Sequence, residues 1–296
     1  MEKAYLYYIR DNYFSRLNQI QYFFEDYCRK TKYKETDWAG EFQEELTYVL
    51  PFAFWHHLNG TLKRTLSCKG TKELYFFSEN HEEKYAERDA SFMFRSYDFP
   101  NMTHSISKSF TKWVRVPFKE KYANNIFVYD KPILVIANKY NTEWGKPPIN
   151  FLSIPTLEKI FRRYKDKYQI IYNRPLSNHI TLDNSEILSL NEYSWIKENF
   201  PDIILLNDLY EKNRSKVNSF NHLQLMVYAN CNHFISTHGG TAALASYFGG
   251  SNIILSNGGL EAMFREYSTI FPLLSGAQIL HATNEDEILK FMSEFY

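Results

Sequence analysis

Along this chain of 296 residues apolar and polar positions alternate in two different rhythms, and the change comes near residue 131. From Lys131 onward, short continuous apolar runs are separated by stretches with helical spacing. The runs are Lys131 to Ala137, Gln169 to Tyr172, Asp202 to Leu206, Asn232 to Thr237, Asn252 to Leu255 and Gln278 to His281. A strand buried on both faces reads this way, because neither side of it meets water. Between the runs, Ser153 with Pro155 starts a helix through Tyr164, and Asn191 to Phe200, Asn218 to Tyr228 and Glu285 to Phe295 carry the same three-four periodicity. Strand-helix alternation at this spacing predicts a parallel sheet with helices on both faces, a Rossmann-like lobe over residues 131–296.

Residues 1–130 are less regular. From residue 8 to 30, apolar side chains at Ile9, Tyr13, Leu17, Ile20, Phe23, Phe24 and Tyr27 mark an amphipathic helix. Its polar positions, Arg10, Asp11, Arg16, Asn18, Gln21, Glu25 and Asp26, read as a solvated face, and a partner or membrane surface docking on the aromatic side is the alternative. The β-favouring run Leu46 to Leu50 predicts a strand, Phe52 to Leu66 a helix and Glu73 to Phe77 a second strand, which together make one βαβ unit. From Ser78 to Asn125 little periodicity remains, as in a loop-rich region with one or two helices. The expected fold class is therefore α/β with two Rossmann-like lobes, an N-terminal lobe with its leading helix over 1–130 and a ligand-binding lobe over 131–296.

Composition narrows the function. Lys+Arg and Asp+Glu both total 34, so the formal charge is zero and gives no electrostatic case for nucleic acid or an anionic membrane. Cys28, Cys68 and Cys231 stand far apart without a CxxC pair, which argues against a structural zinc or a disulfide framework and fits a cytoplasmic protein. The longest apolar run, Val49 to Trp55 broken by Pro51, is too short to span a bilayer, and the first residues lack the order of a signal peptide. Aromatic residues make up 18% of the chain, enough for a bulky core and a stacking surface.

Chemistry concentrates at the predicted strand ends. Asn232 to Thr237 runs into His238-Gly239-Gly240 and then into a helix of small residues, with Thr241 placed to cap it. Amides at such a turn suit an anion, and the glycines admit it closely. The next strand repeats the design with Ser256-Asn257-Gly258-Gly259. Lys139, in the polar loop Asn138 to Pro148, and Arg174, after Tyr172-Asn173, stand beyond neighbouring strands. Two cations, a helix start and several amides can neutralise a diphosphate; alternatively both cations pair within their loops, with Glu143 or Asp183. His238 either donates to a phosphate or sugar oxygen or satisfies turn backbone. Glu261 either contacts a ribose or sugar hydroxyl or caps its helix. His56 and His57 are adjacent and cannot share a helix face, so one at most serves as a general base, with Glu79 next in order. No HExxH, GxSxG, Walker A or GxGxxG pattern occurs.

The segment Thr237-His238-Gly239-Gly240-Thr241-Ala242-Ala243-Leu244-Ala245, followed by the strand and glycine pair of Ile253 to Gly259, resembles the donor-binding half of GT-B glycosyltransferases. The resemblance implies that Gly239, Gly240 and Thr241 touch the diphosphate of a nucleotide sugar, with Asn138, Glu143, His238 and Glu261 nearby and Asn257, Gly258 and Gly259 beside the nucleotide or sugar. Arg174 resembles the basic residue by which some fucosyltransferase-like members neutralise the leaving group. It implies further a metal-independent transfer without a resident cofactor, to a saccharide or glycan acceptor, with Lys139 and Arg174 stabilising the departing diphosphate and His57 or His56 as base. The biological setting implied is surface polysaccharide or glycoconjugate synthesis, in the cytoplasm or peripheral to a membrane. The glycine-rich N-terminal loop of many GT-B members is reduced here to Asn59-Gly60-Thr61. A nucleotide-sugar epimerase and a non-catalytic nucleotide-sugar-binding module are the rival readings.

Overall fold

Six of the apolar segments pair side by side. In a computed structural model, which describes residues 3–89, 91–92, 99–100, 105–143, 145–177, 179, 181 and 185–296, the chain divides into two units. The first holds Met1–Val116, Thr181–Asn184 and Leu260–Ile270; the second holds Pro117–Ile180, Ser185–Gly259 and Phe271–Tyr296.

In chain order the described strands are β1 (Lys34–Asp37), β2 (Leu62–Cys68) and β3 (His81–Tyr85) in the first unit. The second unit has β4 (Ile133–Ala137), β5 (Gln169–Asn173), β6 (Ile204–Leu205), β7 (His233–Thr237), β8 (Ser251–Leu255) and β9 (Gln278–Ala282). The six form one parallel sheet in the order β6-β5-β4-β7-β8-β9. Every residue of β4 and β8 is buried, as expected of central strands covered on both sides. On one face Leu134, Ile136, Tyr172, Ile235 and Ile253 pack against helices Ile154–Tyr164, Glu192–Asn199 and Glu285–Phe295. On the other, Asn173 meets Gln224 and Tyr228 of helix Phe220–Ala229. Ser153, Ser219 and Asn284 cap three of these helices with side-chain oxygens. Renumbered within the unit, the order is 3-2-1-4-5-6, the doubly wound arrangement in which the chain turns from one side of the sheet to the other between β4 and β7. The Rossmann-like reading of this part holds. It omits helix Leu206–Asn213, which follows a β6 of two residues where a strand through Leu206 was expected, and the 3-10 turn Phe271–Leu274.

The first unit departs further from expectation. It has a βαβ core, but the strands are β1 and β2, joined through helix Leu50–Leu58, and β3 extends the parallel sheet. Residues 46–49, read as a strand, lie in the π-helical turn Glu45–Val49, and the run Glu73 to Phe77 forms turns. The cause is Glu45. Its carboxylate is buried and held by Arg88 Nη2 at 2.7 Å, by the Tyr75 hydroxyl at 2.8 Å and by the Ser67 hydroxyl. Three partners around a buried charge fix the backbone there against local β propensity. Buried charges recur in this unit. Asp26 pairs with Lys112 and accepts the Tyr33 hydroxyl at 2.6 Å, while Glu266 accepts Gln43 Nε2 at 2.7 Å and Lys108 Nζ at 3.3 Å.

The leading helix is also inverted relative to expectation. Residues 3–29 form a helix interrupted by π turns at Arg10–Phe14 and Glu25–Arg29. Arg10, Asp11, Ser15 and Asp26 face inward, whereas Tyr13, Leu17, Ile20, Phe24 and Tyr27 are exposed. Polar partners draw the polar side in: Ser105 Oγ donates to Asn12, Arg16 donates to the Ser107 carbonyl, and Lys112 reaches both Gln19 and Asp26. The polar positions read as a solvated face are therefore largely the attachment face.

Candidate functional site

In a doubly wound sheet, ligands bind beyond the carboxyl ends of the strands where the winding reverses. Here those ends are Ala137 of β4 and Thr237 of β7, followed by Asn138-Lys139 and His238-Gly239-Gly240. Gly239 sits at φ +86° and ψ −145°, a region closed to residues with a side chain, and it immediately precedes helix Gly240–Ala245. The cap is thus Gly239, with Thr241 inside the first turn, and a 3-10 turn replaces the α-helix from Ser246. The first intrahelical bond runs from Ala243 N to Gly239 O, so the amides of Gly240 and Thr241 precede the helical ladder. Gly239, Gly240 and Thr241 are half-buried, and Asn257 and Gly258 are exposed.

Lys139 is the cation of this turn. A Cβ on Gly239 would lie 3.9 Å from its Nζ, and Nζ pairs with Glu143 Oε1 at 2.5 Å. Glu143 Oε2 accepts Asn150 Nδ2 at 2.6 Å, and Asn150 Oδ1 accepts the Asn257 amide at 2.6 Å. This relay of Lys139, Glu143, Asn150 and Asn257 ties the loop after β4 to the loop after β8. Asn138, expected near a donor, is a strut instead: it is fully buried, donates to the Leu152 carbonyl and accepts from the amides of Lys139 and Leu152.

His238 is buried between the two glycine turns. Its Nδ1 lies 3.0 Å from Ser256 Oγ, and a Cβ on Gly259 would come within 2.2 Å of its ring, so only glycine fits at 259. Burial, with Lys139 and His281 adding repulsion, pushes its pKa down to about 3, so the ring is neutral near pH 7. Because the Ser256 hydroxyl donates to the Gly258 carbonyl, it takes its bond from His238 Nδ1–H.

Arg174 is committed elsewhere. It forms a two-armed pair with the fully buried Glu192, Nε to Oε1 and Nη2 to Oε2 at 3.2 Å, and its carbonyl accepts the Tyr193 hydroxyl. Its charge is already matched, so the leaving-group role read from the sequence has no open cation to rest on. Asp183, offered as a partner for these cations, lies outside the described residues. Glu261 belongs to the first unit, in helix Leu260–Met263, where it is buried.

The two histidines of the first unit separate as their adjacency requires. His56 is fully buried, with Nδ1 2.7 Å from Thr61 Oγ1, and burial with nearby Lys34 and Lys112 pushes its pKa down to about 2. It has no surface on which to meet an acceptor hydroxyl. His57 is exposed and stacks on Phe54 at 5.8 Å, while Glu79 is exposed and paired with Lys32.

Sequence reading missed Asn150 and Glu192, whose roles arise from contacts distant along the chain, and gave Ser256 no part beyond its turn. Two buried atoms at the strand ends, Thr237 Oγ1 and Asn173 Oδ1, have no hydrogen-bond partner. Such atoms are uncommon in folded proteins and cluster where a ligand or water completes the set. Among the described residues no three His, Cys, Asp or Glu side chains converge to hold a metal ion, and no helix is long and apolar enough to cross a membrane. No protein-family model, curated protein or solved structure matches this chain.

Proposed function

We propose that the chain is a GT-B-type glycosyltransferase that moves a sugar from a nucleotide-sugar donor to a saccharide or glycan acceptor. One observation carries the reading: at the winding reversal of a 3-2-1-4-5-6 sheet, a glycine turn with accessible amides lies beside a lysine ammonium. A diphosphate entering the turn would meet the amides of Gly240 and Thr241 and draw Lys139 away from Glu143. Glu143 would keep its bond from Asn150, so the exchange would leave no bare buried carboxylate. As the glycosidic bond to the diphosphate breaks, negative charge grows on the leaving oxygens, and these are the groups that would hold it more tightly in the transition state. Asn257 and Gly258, both exposed, would border the nucleotide.

Calorimetric titration with UDP, GDP, CMP and dTDP tests the first step. Micromolar binding of one diphosphate is expected, and Gly240→Val should weaken it tenfold or more by denying close backbone approach. Equal affinity in the variant would remove the turn from the site. Sugar transfer from the matching donor to an added saccharide tests the second step. A non-catalytic nucleotide-sugar-binding module is favoured by one fact, that Lys139 and Arg174 are each already paired with a carboxylate. Binding with neither transfer nor hydrolysis across a donor panel would select that reading.

A further inference from the structure

The outward side of the leading helix carries ten large apolar side chains between Tyr5 and Tyr27, each 43% to 67% exposed. Within it Tyr13, Leu17, Ile20, Phe24 and Tyr27 follow one another at intervals of four, three, four and three residues. That interval pattern is the seam of a helix packed lengthwise against another helix. Side chains of this size at about half exposure offer about 1,000 Å² of apolar surface, against roughly 800 Å² that each partner contributes to a standard stable interface.

We propose that this stripe is covered by the same helix of a second copy of the chain, so that the protein is a dimer joined through its N-terminal helices. Charge favours a like partner over an anionic membrane. An interfacial helix presents lysines and arginines from its polar side to headgroups. Here that side is turned inward, with Arg10 buried and Arg16 bonded to Ser107. Of the exposed cations nearby, Arg29 pairs with Glu25 and Lys32 with Glu79, and Lys30 stands between them. The stripe residues themselves carry no charge, and tyrosine and phenylalanine are enriched at the buried centres of protein interfaces.

Sedimentation equilibrium on the full chain tests this. A species of twice 35.3 kDa is expected, dissociating on dilution. Leu17→Glu and Ile20→Lys should each give monomer with an unchanged far-ultraviolet circular dichroism spectrum, since both side chains are more than half exposed. Should a charged variant fail to fold, Leu17→Gln keeps helix propensity and is expected to weaken dimerisation at least tenfold. A wild-type monomer at about 100 μM, far above the dissociation constant that such an apolar area supports, overturns the proposal. So does dimerisation by folded Leu17→Glu at wild-type strength. Wild-type monomer that co-sediments with phosphatidylcholine–phosphatidylglycerol vesicles would assign the stripe to lipid instead. The readout is mass, so it is independent of nucleotide binding and of the transferase reading.

Discussion

The two units hold themselves together by different means. The six-stranded sheet is packed on one face by isoleucine, leucine and aromatic side chains, and its central strand β4 is wholly apolar from Ile133 to Ala137. The three-stranded unit is built around buried ion pairs: Glu45 with Arg88, Asp26 with Lys112, and Glu266 with Lys108. An apolar core loses free energy in small steps as methyl groups are removed. A buried pair loses it at once, because the survivor is left charged and out of water.

The largest effect should follow from Glu45→Ala. Arg88 loses its carboxylate, and the Tyr75 and Ser67 hydroxyls lose their acceptor, so unfolding should become easier by about 3–5 kcal/mol. By contrast, Ile253→Val in the second unit should cost about 1 kcal/mol. Denaturant titration of both variants decides the contrast, and similar losses would break it.

Among its described residues the second unit contains one fully buried pair of the first unit's kind, which sharpens the comparison. Arg174→Ala strands the buried Glu192 and should also cost about 3–5 kcal/mol. Lys139→Ala releases a Glu143 that still accepts from Asn150. It should cost less than Arg174→Ala, about 1–3 kcal/mol, while weakening nucleoside diphosphate binding about tenfold. Melting and calorimetry on the two variants separate a structural cation from a binding one. Full stability in Arg174→Ala would return that residue to the candidate site.

The smallest effect is a slope with pH. His56 is held neutral, with a folded pKa of about 2 against an ordinary value of 6.5. Below pH 6.5 the unfolded chain takes up a proton that the folded chain refuses. Its contribution is therefore complete above pH 6.5 and is lost as pH falls toward 2, by up to about 1.4 kcal/mol per pH unit. His238, with its pKa near 3, adds the same sign from the second unit. Unfolding titrations from pH 7 to 5 should show a shallower slope in His56→Asn than in wild type, and an equal slope would show that His56 does not carry it.

The same division governs what could be read in advance. In the second unit β4, β5, β7, β8 and β9 were all legible, with edges displaced by a residue or two, because burial on both faces leaves an uninterrupted apolar run. In the first unit β1 is Lys-Glu-Thr-Asp and β3 is His-Glu-Glu-Lys-Tyr, and neither reads as a strand. They are strands because their backbones pair with β2, while a charge network bends the strand-like run at residues 46–49 into a helix. At the candidate site the glycine turns were legible, since Gly239 and Gly259 answer local backbone and packing demands. The fates of Lys139 and Arg174 were not.

What the sequence determined by itself is a parallel sheet in residues 131–296 and two glycine turns at its strand ends. Both follow from short-range rules, the apolar run of a doubly covered strand and the backbone freedom of glycine. Only the tertiary structure decided that Arg174 answers Glu192, that His56 is sealed away, and that the leading helix turns its aromatic side outward. Those outcomes depend on charges brought within a few ångströms by folding, and the strength of such a contact depends on distance and burial, which sequence separation does not encode.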